Sequence, residues 1–334
     1  MNKEFLAQTA QTLVANNKGI LAADESTGTI KKRFDKIGVD STEETRRQYR
    51  ELLFTAPGIG KYISGVILYD ETLRQSTSAG VTFAKVLKDE GVIPGIKVDL
   101  GTEPSPISPN ELLTKGLEGL ADRLKEYYAL GARFAKWRAV ISIGDGLPTP
   151  DVVRENAKRL AEYAKLCQEA DIVPIVEPEV LMDGDHSQDR CFEVTAGAHN
   201  ALFEELQNAQ VYLPGILLKP NMIVPGEESS EKVSAEQIAS MTLKTLREQV
   251  PAEVPGIVFL SGGQSEVEAT VNLNAMNKLG AASWKLSFSY GRALQASALK
   301  TWSGKAENIA AAQDEFLKRA RLNSLACNGG YQGE

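Results

Sequence analysis

A chain of 334 residues carrying 37 Lys and Arg against 44 Asp and Glu has a formal charge of −7, a balance that argues against a nucleic-acid binder. Hydrophobic residues at 43% and charged residues at 24% describe a folded soluble protein and exclude a disordered or fibrous one. The length admits two or three domains or one large α/β barrel, and no run of about 18 apolar residues marks a membrane span.

Met1 to Gly19 interleaves Lys3, Glu4, Gln8 and Gln11 with Phe5, Leu6, Leu13 and Val14, the pattern of an amphipathic helix and not of a signal peptide. Eight short apolar segments then recur between longer amphipathic ones. They are Gly19 to Ala23, Gly65 to Tyr69, Pro94 to Val98, Arg133 to Val140, Ile172 to Val176, Gly215 to Leu218, Gly256 to Leu260 and Ala282 to Phe288. Most are apolar on both faces, as parallel strands covered by helices are. Among the helical patterns, Leu113, Leu117, Leu120, Leu124 and Tyr127 step by three and four before Gly131. Thr149 and Pro150 open another helix, whose apolar stripe runs on to Cys167, and Ser234 with Gln237 forms a capping box. Eight alternations predict a closed (β/α)8 barrel, a single domain over residues 1–334 with a short tail after about residue 322. A doubly wound open sheet is the rival, but neither a G-x-G-x-x-G turn nor a G-x-x-x-x-G-K-[ST] loop is present.

Nearly every apolar segment ends in an ionisable or small polar residue. Asp24, Glu25 and Ser26 follow the first, Asp70 and Glu71 the second, and Lys97 and Asp99 the third. Lys136 and Arg138 close the fourth, Glu177 and Glu179 the fifth, Lys219 the sixth, Ser261 the seventh and Ser289 the eighth. Any one is an ordinary solvated strand end, but in a barrel all of them converge on the face where barrel enzymes react substrates. Spacing of two directs Lys136 with Arg138, and Lys97 with Asp99, toward the axis and turns Trp137 to the helices.

Lys219 is delivered by Gly215-Ile216-Leu217-Leu218 to the barrel mouth, where a neighbouring cation such as Lys136 favours the neutral amine that attacks a carbonyl. The bland alternative is a lysine reaching solvent from a strand end. Two turns, Ser261-Gly262-Gly263-Gln264 and Ser289-Tyr290-Gly291-Arg292, have the composition to cradle a phosphate, with Arg292 adding a forked contact. The three cysteines, Cys167, Cys191 and Cys327, lack disulfide or metal-knuckle spacing and point to a reducing compartment. His186 and His199 are too few for a three-histidine zinc site.

Six stretches together resemble class I fructose-bisphosphate aldolases: Gly19 to Gly28, Lys136-Trp137-Arg138, Val176 to Glu179, Leu217 to Met222, Leu260 to Ser265 and Phe288 to Leu294. The likeness runs in order from about Phe5 to Cys327. It implies a cytoplasmic, metal-independent and cofactor-free barrel lyase, a homotetramer, that reversibly splits fructose 1,6-bisphosphate into dihydroxyacetone phosphate and glyceraldehyde 3-phosphate in glycolysis and gluconeogenesis. By the same resemblance Lys219 is the Schiff-base nucleophile. Glu177 dehydrates the carbinolamine with help from Glu179 and Lys136, and Asp24 takes the C4 hydroxyl proton. Ser261, Gly262, Gly263, Ser289, Gly291 and Arg292 hold the C1 phosphate, and Ser26, Arg33, Lys97 and Arg138 serve the other phosphate. Animal and plant members carry a mobile tail ending in tyrosine that assists enamine protonation. This chain ends at Tyr331-Gln332-Gly333-Glu334, and the expectation is intact imine formation with slow protonation. Two other readings stand beside this one: a Schiff-base enzyme preferring fructose 1-phosphate or sedoheptulose bisphosphate, and a non-catalytic scaffold that binds phosphorylated ligands or filaments at the same basic mouth.

Overall fold

The computed structural model describes residues 1–280 and 283–334. Eight parallel strands close on themselves: β1 (Gly19–Ala23), β2 (Ile63–Leu68), β3 (Ile93–Lys97), β4 (Phe134–Ile141), β5 (Val173–Val180), β6 (Leu217–Leu218), β7 (Gly256–Phe259) and β8 (Lys285–Tyr290). Each pairs with its neighbours in sequence, and Ile20 opposite Ser289 shuts the ring. Helices follow the strands around the outside, giving the expected (β/α)8 barrel. Among the described residues no helix is long and apolar enough to cross a membrane.

Side chains alternate across the barrel wall, as the twofold period of a strand requires. On β4, Ala135, Trp137 and Ala139 pack outward among the helices, and the Trp137 ring stacks on Tyr163 of the helix Pro150–Glu169 at 5.5 Å between centroids. Phe134, Lys136 and Arg138 point the other way. The lower interior is apolar: Ile20, Ala22, Ile67, Phe134, Val173, Ile175, Leu217 and Val258 form one cluster. The first helix, Lys3–Leu13, is capped by Asn2 and closes this end from below with Leu6, Ala10 and Leu13. Phe134 occupies the space beside Gly95, and with Leu13 the space beside Gly65; a methyl group would come within 2.3 Å of the Phe134 ring at Gly95, and within 2.6 Å of Leu13 and 2.9 Å of that ring at Gly65.

The strand positions agree with the sequence reading while several ends move. β5 continues to Val180, so Glu177 and Glu179 lie within it and not past its end. β8 starts at Lys285 and takes in Ser289 and Tyr290; Ala282, predicted to start it, lies outside the described residues. The expected helix from Leu113 is wrong in its first turns. Leu112–Thr114 pairs antiparallel with Thr102–Pro104 as a hairpin, and the helix is Leu120–Ala129. Gly116 (φ +124°) and Gly119 (φ +66°) hold backbone geometries that an α-helix does not use, so no helix begins before them. Pro150 opens its helix as predicted, and Ser234 and Gln237 form the reciprocal cap. The last helix, Ile309–Ala326, runs beyond the predicted start of the tail, and Tyr331 is buried.

Candidate active site

A cavity of about 720 Å³ opens at the C-terminal ends of the strands. Ala22 of the apolar cluster lines it, and the first charged layer stands one step farther along the strands. Lys136 Nζ, from β4, lies 2.8 Å from Asp24 Oδ2, just past β1, and 3.2 Å from Glu177 Oε2 of β5. Lys219 Nζ, delivered by the two-residue strand β6, lies 3.0 Å from Glu177 Oε1. The Lys219 backbone N–H donates to the carbonyl of Val176 at 2.9 Å, which locks β6 beside β5 and fixes where the amine stands. Lysine and glutamate side chains here are 4–5% exposed, so these ions interact with little water between them.

That burial works against ionisation of the carboxyls, and the cations overcome it. Asp24 is held well below the ordinary carboxylate range: burial pushes up, but Lys136 and then Lys219 pull down more strongly together. Glu177 is lowered in the same way, burial being outweighed by Lys136, Lys219 and Arg138. Lys136 is raised: burial disfavours its charge, and Asp24, Glu177 and Asp99 more than restore it. One carboxylate is therefore shared by two lysine amino groups, of which Lys136 is also clamped by Asp24.

A second layer rings the mouth. Lys97 Nζ donates to Asp99 Oδ1 at 2.6 Å and to the Asp99 carbonyl at 2.7 Å. Arg138 donates to Glu179, and Glu179 lies under the β7 turn, where a methyl group on Gly262 would come within 3.0 Å of its Oε1. Ser289 Oγ is buried and has no hydrogen-bond partner among the described residues. Gly291 caps the helix Arg292–Trp302, and Arg292 begins it at the cavity wall.

Of the fifteen residues the sequence nominates, the cavity is lined by all but Gly263. Gly263 shapes the turn from behind, at φ +70° against Met182, which a methyl group there would strike at 2.2 Å. Arg33 sits close to the β8 turn: a methyl group on Gly291 would come within 3.8 Å of its Nη2. Asp70 and Glu71, grouped with the strand-end charges, do not reach the cavity. They open the helix Asp70–Arg74 and pair with Arg74 and Arg46. Thr29 and Tyr69 also line the cavity and were not foreseen. For Thr29 the signal was present in Ser26-Thr27-Gly28-Thr29, since Ser26 is the N-cap of the helix Thr27–Asp35 and its hydroxyl meets Thr29 Oγ1 at 3.1 Å.

An eight-stranded parallel barrel with buried, mutually paired lysines and carboxylates at its C-terminal mouth is a (β/α)8-barrel enzyme. Residues 5–334 match the family model described as fructose-bisphosphate aldolase class-I. A probable fructose-bisphosphate aldolase class 1 of Xanthomonas campestris is 53% identical over 334 residues, the full length of both chains. The cytosolic fructose-bisphosphate aldolase 4 of Arabidopsis thaliana is 56% identical over 95% of this chain and 81% of its own. Fructose-bisphosphate aldolase of Plasmodium falciparum, solved in a ternary complex with TRAP and a small-molecule inhibitor, superposes with a TM-score of 0.98 at 54% identity, covering 99% of this chain and 96% of that one. The chain belongs to the class I fructose-bisphosphate aldolase family and is a lyase.

Proposed function

We propose that cleavage of fructose 1,6-bisphosphate here proceeds through a Schiff base on Lys219. The observation that carries this reading is the Lys219–Glu177 contact at 3.0 Å, with Lys136 on the other oxygen of the same carboxylate. Lys219 passes a proton to Glu177 and becomes the neutral amine. The amine attacks the C2 carbonyl and forms a carbinolamine. Glu177 returns its proton to the departing hydroxyl, and water leaves as the protonated imine forms. Asp24, kept anionic by Lys136, takes the C4 hydroxyl proton as the C3–C4 bond breaks, and the electron pair moves into the imine to give an enamine. Arg138 holds Glu179 between the acid layer and the β7 turn, the place of an assistant to Glu177.

The C1 phosphate is received by Ser261, Gly262, Ser289, Gly291 and Arg292, and the other phosphate by Ser26, Lys97 and Arg138. The unpartnered Ser289 hydroxyl supports the first assignment, because a buried hydroxyl without a partner is costly unless a ligand completes it. Neither the imine nor these proton transfers call on a metal or a cofactor. Family membership supports a homotetramer that acts on sugar phosphates, and the cytosolic relative supports a cytoplasmic location.

Borohydride reduction with dihydroxyacetone phosphate, followed by peptide mass mapping, tests the mechanism. A stable adduct on Lys219 is expected. No adduct, or one on another lysine, overturns the assignment and moves weight to the phosphate-binding scaffold.

A further inference from the structure

Beside the reacting layer lies a second buried ionic cluster that the cleavage steps do not use. Its centre is Glu25, whose side chain is 5% exposed. Arg50 Nη2, itself 3% exposed, donates to Glu25 Oε2 at 2.6 Å. Arg33 donates to Oε1, and Gln295 Nε2 reaches the same oxygen at 3.0 Å. Gln295 also donates to the carbonyl of Ala22 on β1 at 2.8 Å and lies 3.2 Å from the Tyr49 hydroxyl. Four segments of the chain therefore meet on one carboxylate: the end of β1, the helix Thr27–Asp35, the helix Glu43–Phe54 and the helix Arg292–Trp302.

Only Arg33 among these partners lines the cavity. The others are 0–3% exposed and anchor the carboxylate, while Arg33, 22% exposed, extends from it to Gly291. A guanidinium is a planar fork on a flexible stem, and one face pinned by a fixed carboxylate loses most of its freedom before any ligand arrives. Pre-ordering of this kind raises affinity without a new contact to the ligand.

We propose that Glu25 is a positioning residue that holds Arg33 against the Ser289–Arg292 turn, so that a phosphate bound there meets Arg33 as well as Arg292; this moves Arg33 to that turn from the other phosphate end, to which the resemblance assigns it. This rests on the reading of that turn as a phosphate pocket, and the test separates the two. Glu25→Gln, Arg33→Met, the double variant and Arg292→Met are compared by the kcat and KM of bisphosphate cleavage and by the inhibition constant of inorganic phosphate. Glu25→Gln is expected to raise KM and the phosphate inhibition constant about tenfold with kcat within about twofold. Because Glu25 acts through Arg33, it has no further effect once Arg33 is methionine.

Effects that multiply in the double variant, or a loss confined to kcat, overturn the proposal. Undiminished phosphate inhibition in Arg292→Met overturns the pocket reading beneath it. Weakened inhibition in Arg292→Met with none in Glu25→Gln overturns the positioning role alone. Removing a charge that two guanidiniums share risks the fold. Should Glu25→Gln not fold, Glu25→Asp keeps the charge but shortens the reach, and the same non-additivity with Arg33→Met decides the matter.

Discussion

The two halves of the barrel interior are built from the same strands and have opposite chemistry. On β4, Phe134 faces the axis at the bottom and Lys136 and Arg138 face it above; on β5, Val173 and Ile175 lie below Glu177 and Glu179. Below, one ring fills the room left by two glycines, and the helix Lys3–Leu13 seals the end. Above, four charged groups carried on or just past four strands satisfy one another. The lower half makes the upper half work: its apolar packing keeps water from the underside of the ions, so their mutual pull sets their protonation. Each half should fail in its own way.

The largest separation comes from Lys219→Met. On the Schiff-base reading turnover falls on the order of 10⁴-fold or more, as it does when a covalent nucleophile is removed. Equilibrium unfolding alongside steady-state kinetics shows whether the loss is one of chemistry, and a variant that keeps its activity refutes the mechanism. Phe134→Ala should do the converse. It leaves a cavity under the charged layer and costs about 3 to 5 kcal/mol in stability, read from denaturant midpoints, while the soluble fraction still forms the adduct on Lys219.

Titration distinguishes charges buried with partners from a group buried alone. Asp24 and Glu177 have lowered values in the fold. The stability they contribute is therefore present above their ordinary 3.8 and 4.5 and is lost as pH falls below that range. Lys136 is raised, so its contribution holds below its ordinary 10.5 and fades as pH climbs through the folded value. His199, on the helix Gln188–Asn208, is buried with no partner on either nitrogen among the described residues, and burial brings it from 6.5 to about 4. The unfolded chain takes up that proton first, so between pH 6.5 and 4 the fold should lose up to roughly 3 kcal/mol. His199→Leu should flatten this limb and leave the one below pH 4; an unaltered profile would show that the imidazole is not the cause.

The smallest effect is expected at Ser289. Replacing it with alanine removes a buried hydroxyl that has no partner, so stability should hold or rise slightly, yet KM should increase about tenfold if the hydroxyl binds phosphate. Unchanged KM would remove Ser289 from the pocket.

Much of the charged mouth was legible because alternation is local: Lys136 and Arg138, or Lys97 and Asp99, reveal a shared face by spacing alone. Lys219 was conspicuous for a different reason, an ammonium at the end of an apolar run. The hairpin at Leu112–Thr114 was hidden because Leu113 and Leu117 mimic a helical stripe, and only the glycines beside them disclose the turn. The cluster on Glu25 was invisible, since Arg50 is 25 positions away and Gln295 is 270. No periodicity links residues that the closed barrel alone brings together.

The alternation on β4 also bears on how the chain finds its fold. A slip of one residue in pairing would reverse every side chain on the strand, placing Lys136 and Arg138 among the apolar residues of the outer helices and Trp137 against Asp24 and Glu177. Such a product would carry unneutralised ions in a dry setting and collapse back. The buried charges thereby proofread assembly: misregistered barrels are selected against by the same residues to which the proposed mechanism gives the reaction.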